Sequence, residues 1–72
     1  MEYAVVLMDS TSYAIKGERV LKDAGIPAKL IPVPRHLSSD CGVTVRIPVD
    51  DMERSEGILK DRSVPFNEIV RI

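Results

Sequence analysis

Seventy-two residues make one small domain, residues 1–72, which buries only about 60% of the surface it exposes when unfolded. A net charge of −1, no stripe of Lys and Arg and only two Tyr and one Phe argue against a nucleic-acid binder. No apolar run exceeds Ala4 to Met8, so no segment is fit to span a membrane.

Met1 to Met8 opens as a strand, apolar on both faces through Tyr3-Ala4-Val5-Val6-Leu7-Met8, as a central strand requires. Asp9-Ser10-Thr11-Ser12 supplies helix N-cap candidates. Residues 11–24 follow as a helix whose Ala14, Gly17, Leu21 and Ala24 recur at helical spacing. Gly17 costs a helix interior about 1 kcal/mol relative to Ala, so its expected use is close approach of the helix to the sheet. Gly25 ends the helix and Pro27 prevents its continuation.

Ala28-Lys29-Leu30-Ile31 reads as the second strand, stopped by Pro32 and Pro34. Val43-Thr44-Val45-Arg46-Ile47 alternates cleanly as the third, its apolar residues on one face and Thr44 and Arg46 on the other. A second helix is expected over residues 51–62, opened by Asp50 and Glu53 as an acidic variant of the capping box. Its stripe is Met52, Ser55, Ile58 and Leu59. Ser63-Val64-Pro65 turns the chain, and Phe66 to Ile72 forms the last strand. Glu68 interrupts one face of that strand and Ile69 is the lone apolar residue of the other, so the pattern leaves its core face undecided.

The order β-α-β-β-α-β predicts an α+β, ferredoxin-like two-layer sandwich, an antiparallel sheet with two helices on one face. This topology brings the start of the first helix, the connection between strands two and three and the turn at Ser63 to Pro65 to one edge of the sheet. The connection, Pro32 to Gly42, holds the single cysteine, Cys41, and the single histidine, His36. A thiol gains nucleophilic character when cations or a helix N-terminus lower its pKa from about 8.5. Arg35 and His36 are local cations, and the first helix brings its dipole end. Gly42 leaves room beside the sulfur, Ser38 and Ser39 are hydroxyls able to hydrogen-bond a thiolate, and Asp40 opposes its formation. The balance predicts an exposed Cys41 whose pKa is modestly depressed; the bland reading is an unreactive cysteine at a strand start. Zinc is not expected, because Cys41, His36 and Asp40 are too few or too crowded for a site within one chain. A pocket in so short a chain is shallow, which weighs against autonomous catalysis.

The segments Ser10-Thr11-x-x-Ala14, Glu18-x-x-Leu21-x-x-x-Gly25-Ile26 and above all Pro32-x-Pro34-Arg35-x-Leu37-Ser38-Ser39-x-Cys41-Gly42 carry a resemblance. The sequence resembles the selenium/sulfur carrier protein-like family of small prokaryotic domains. The resemblance implies that Cys41 holds reduced sulfur or selenium as a persulfide or selenosulfide, with Gly42 as clearance and Arg35 as the basic neighbour. Arg35, Ser38, Ser39, Gly42, Ser10 and Thr11 are the candidate binding residues around it. No separate cofactor or metal is implied beyond chalcogen carried covalently on Cys41. The implied partners are sulfur or selenium donor and acceptor proteins, with no nucleic acid and no membrane. The small aliphatic core favours self-association through a sheet edge or the open sheet face, so a homodimer is also expected. One cysteine and no visible signal peptide fit a cytoplasmic protein. Two other classes stand beside the carrier: a small-molecule-sensing βαββαβ module, and an interaction subunit of a redox complex.

Overall fold

The apolar run Tyr3-Ala4-Val5-Val6-Leu7 becomes β1 (Tyr3–Leu7), and its place at the inside of the sheet explains why both faces are apolar. In the computed structural model, which describes residues 2–37 and 42–72, β1 pairs antiparallel with β3 (Val43–Pro48) and with β4 (Glu68–Arg71). The edge strand β2 (Lys29–Pro32) pairs with β3, giving the order β2-β3-β1-β4. With α1 (Thr11–Asp23) and α2 (Met52–Asp61), the chain is the α+β ferredoxin-like βαββαβ fold that its element order predicts.

One sheet face builds the core. Ala4, Val6, Val45 and Ile47 point there, against Ala14 and Leu21 of α1 and Leu59 of α2. Full burial of such aliphatic side chains contributes about 1.5–3 kcal/mol each. Gly17 is buried, and a Cβ built on it would stand 2.6 Å from Met8 Cε and 3.7 Å from Leu59 Cδ2. The helix therefore lies close enough to the core for a missing side chain to matter, as its sequence position implies. On the other face, Val5, Leu7 and Thr44 are buried as well. The Thr44 hydroxyl donates to the Val6 carbonyl at 2.6 Å, and the Arg46 guanidinium lies 4.1 Å from the centre of the Tyr3 ring.

The ends of α1 follow local chemistry. Ser10 is the N-cap, its extended backbone letting the side-chain oxygen accept from Tyr13 N–H at 3.2 Å. At the other end Gly25 takes φ +88°, Gly25 N–H donates to Lys22 O at 2.9 Å and Ile26 N–H to Leu21 O at 3.0 Å. That is a Schellman closure, and its apolar pair Leu21 and Ile26 is buried in the core. The same pattern closes α2, where Ser63 N–H reaches Lys60 O and Val64 N–H reaches Leu59 O. Here the left-handed residue is Ser63, at φ 57°.

Three features differ from the sequence expectation, and one that it left undecided is settled. The capping box from Asp50 to Glu53 does not form: a 3-10 turn, Val49–Asp51, precedes α2, and its N-cap Asp51 makes no side-chain capping bond. Asp51 instead receives the Arg54 guanidinium at 3.5 Å, and Arg54 also donates to Ala24 O at the end of α1. β2 runs one residue later than expected because Pro32 occupies an edge position opposite Val43, where no N–H is required of it. In β4 the register settles the face: Ile69 lies opposite Val6 and packs on the core, while Glu68 and Val70 lie opposite Leu7 and Val5 on the other side. Phe66 also packs on the core, but from the segment before the strand.

A contact with no local sequence signal guards the β2 edge. Leu30 N–H donates to Glu18 Oε2 on α1 at 2.9 Å. By the alternation of the β2–β3 ladder, Leu30 turns its N–H away from β3, so the carboxylate occupies an outward-facing donor.

Candidate functional site

The stretch singled out by composition sits where the topology predicts. Past the last β2–β3 pair, Pro32 with Val43, Val33 N–H donates to Gly42 O at 3.3 Å. This closes the neck of the 33–42 connection at the upper edge of the sheet. Pro34 fixes the backbone entering the next turn, and Leu37 N–H closes that turn onto Pro34 O at 3.0 Å. Arg35 and His36 occupy the two central positions and are exposed, whereas Pro34 and Leu37 are half-buried. Ser38, Ser39, Asp40 and Cys41 lie outside the described residues, so the expectations for the exposure and titration of Cys41 and for the two serine hydroxyls fall outside them too. Gly42, bonded to Cys41, is exposed, and a Cβ added to it would meet no atom of the described residues within 4 Å beyond its chain neighbours.

The remaining candidates come from β1. Antiparallel pairing sets Leu7 at the same edge as the start of β3 and the start of β4. The β1–β3 register carried forward from Val6 and Val45 runs Gly42 toward Asp9, the residue before the cap Ser10. Ser10 and Thr11 therefore belong to the edge that bears the 33–42 neck. There the N-terminus of α1 presents the partial positive charge of its dipole, which favours an anion. The Ser10 side-chain oxygen is already engaged as the helix cap. The turn at Ser63 to Pro65 leads into β4 at this same edge.

Sequence reasoning missed one clamp at this edge. Asn67 donates through Nδ2 to Asp9 Oδ1 at 2.8 Å, and its backbone N–H reaches Leu7 O at 2.7 Å. It ties the end of β1 to the entry of β4, under the start of α1. Asp9 and Asn67 are 58 residues apart, and no spacing rule links them. Among the described residues no three His, Cys, Asp or Glu gather as a metal-ion site, and no helix is long and apolar enough to cross a membrane. A groove of about 650 Å³ runs along α2 beside the end of α1, lined by Ala24, Glu53, Arg54, Gly57, Ile58, Asp61 and Arg62. It includes none of the described residues of the 32–42 stretch.

Fold and edge together define a class: a small ferredoxin-like domain whose 33–42 connection is closed by a hairpin neck at the sheet edge where α1 begins. More particularly, the chain belongs to the family described as Putative Se/S carrier protein-like, whose model matches residues 3–71. No curated protein and no solved structure matches it.

Proposed function

We propose that the chain carries reduced sulfur or selenium on Cys41 and hands it between partner proteins. The observation that carries this reading is the family match over residues 3–71, which includes the single cysteine and the motif around it. Supporting it, the neck at Val33 and Gly42 belongs to the edge where α1 begins, and Arg35 and His36 are exposed in the adjoining turn. The open space beside Gly42 suits the approach of a second protein.

The transfer is a thiol exchange that needs no external oxidant. The Cys41 thiolate attacks the outer sulfur of a donor persulfide, R–S–SH. A bond forms from Cys41 Sγ to that sulfur, the donor S–S bond breaks, and the electron pair leaves on R–S⁻. Delivery reverses the roles: an acceptor thiolate attacks the outer sulfur of Cys41–S–SH, and the Cys41 thiolate departs. With a selenosulfide, selenium takes the outer position and the electron count is unchanged. A carrier needs a modest depression of its thiol pKa, since a lower pKa raises the thiolate fraction but weakens the nucleophile.

Intact mass after native purification tests the reading. The expected result is an added sulfur or selenium atom, removable by reductant and missing from Cys41→Ser. The rate of alkylation by iodoacetamide across pH then probes activation, with an inflection expected below about 8.5 and shifted upward in Arg35→Ala. An unloaded chain that also fails to take sulfur from a small persulfide donor would sink the proposal.

A further inference from the structure

We infer that β4 is a pairing edge and that its occupant is a second copy of this chain, joined antiparallel into one continuous sheet. The two outer strands are treated differently. On β2 the outward N–H of Leu30 is taken by Glu18 at 2.9 Å, and the next outward position is Pro32, which has no N–H. Both are devices that keep a strand edge from pairing. β4 has neither. Ile72 N–H donates to Tyr3 O, and the ladder alternates from there, so Val70 and Glu68 turn their backbone groups toward β1. Ile69 and Arg71 turn theirs outward, with no side-chain partner among the described residues.

Charge selects the occupant and the register. Beside β4 lies a groove of about 320 Å³ with Met52, Phe66 and Ile69 along it and Glu53, Glu56 and Glu68 around it. Arg71 shares the sheet face of Ile69, is exposed, and forms no ion pair among the described residues. Glu53 is likewise exposed and without an ion-pair partner among them. A twofold axis through Val70 sets Ile69 opposite the partner's Arg71, and the same contact recurs in reverse, as an isologous interface demands. That register closes reciprocal N–H to O=C bonds between the outward groups of Ile69 and Arg71. It also brings the guanidinium of the partner's Arg71 beside the acidic groove. On the opposite face Val70 meets its own symmetry mate, and Ile72, 47% exposed, gains cover. The register also sets Glu68 opposite the partner's Ile72, so no like charges face one another along the strand pair. The inference is independent of Cys41 and of what it carries.

Sedimentation equilibrium under reductant, at micromolar to submillimolar protein, reads the result. Wild type is expected to dimerise, and Cys41→Ser to do so equally. Arg71→Glu and Glu53→Arg each weaken the dimer about tenfold, two exposed pairs being lost and repulsions gained. The double variant recovers affinity to within about threefold of wild type, while Val70→Lys, which opposes like charges at the axis, abolishes dimerisation. Far-UV circular dichroism checks folding of each variant. Amide exchange on wild type gives a variant-free reading: exchange at Ile69 and Arg71 slows as concentration rises. A wild-type monomer throughout, a dimer indifferent to Val70→Lys, a double variant no better than the singles, or concentration-independent exchange at both amides would each overturn the inference.

Discussion

Glu18→Ala removes the side chain that hydrogen-bonds from α1 to the β2 edge. The bond from Leu30 N–H to Glu18 Oε2 is 2.9 Å long, and the Glu18 side chain is only 20% exposed. A hydrogen bond to a charged group contributes about 1.5–3 kcal/mol, and the half-buried edge at Leu30 places this one at the lower end because water can replace part of it. The pair with Lys22, 3.6 Å away at i,i+4, adds about 0.3 kcal/mol. Alanine returns about 0.4 kcal/mol through helix propensity. The net expected loss is about 1.5 kcal/mol, or roughly 6–12 °C in Tm for a domain of this size. Urea and thermal melts followed by circular dichroism, at concentrations low enough to hold one association state, measure it. Glu18→Gln keeps an acceptor oxygen and loses only the charge, so it should recover about half of the deficit. Hydrogen exchange at the Leu30 amide should accelerate in Glu18→Ala. If Glu18→Ala melts within about 0.5 kcal/mol of wild type, or Gln is as damaging as Ala, the contact contributes nothing beyond a surface position and the argument for a guarded edge fails with it.

Ser55 is fully buried on α2 and its hydroxyl has no hydrogen-bond partner among the described residues, so Ser55→Ala should stabilise by about 1 kcal/mol, read in a urea melt; a loss of stability would mean that the hydroxyl is satisfied. Ser63→Gly relieves a left-handed residue and should add about 0.5–1 kcal/mol, whereas Ser63→Val should cost more than that; equal melting of the two variants would remove the strain argument. Gly17→Val drives a branched side chain against Met8 and should cost about 2 kcal/mol by overpacking, with unchanged stability as the contrary result. Gly42→Ala meets open space and should leave the melt within about 0.5 kcal/mol, yet slow alkylation of Cys41 by a bulky maleimide more than by iodoacetamide; equal slowing of both reagents would remove clearance as the role of Gly42.

Much of the fold was legible because local chemistry and global topology agree. Ser10 caps, Gly25 ends a helix, and the alternation of Val43 to Ile47 sets one face inward, each signal lying within a few residues of its effect. The misreadings arise where a local pattern admits more than one outcome or where the deciding contact is distant. Asp50 and Glu53 satisfy a capping rule, but the chain leaves β3 through a 3-10 turn and Asp51 pairs with Arg54 instead. The face of β4 was undecidable from Ile69 and Val70 alone; pairing with β1 decided it. Glu18 reads as a solvated helix carboxylate until β2 arrives 12 residues later. For the site, Pro34 and Gly42 marked the connection, while Pro32, read as its start, is the last residue of β2, and the element order set its edge. The assignment of Cys41 rests on the motif around it, because a lone cysteine in a loop carries no geometric signature of its own.

The bond from Val33 to Gly42 has a consequence for how such a protein can be altered. It makes the segment between these residues an exchangeable cassette: the sheet register is fixed below the neck, at Pro32 and Val43, and does not depend on what the segment contains. Substituting the interior of the connection at constant length should therefore retune chemistry while the frame melts unchanged. Durability and reactivity are then inherited from different parts of the sequence, and a chain of 72 residues can vary one without surrendering the other.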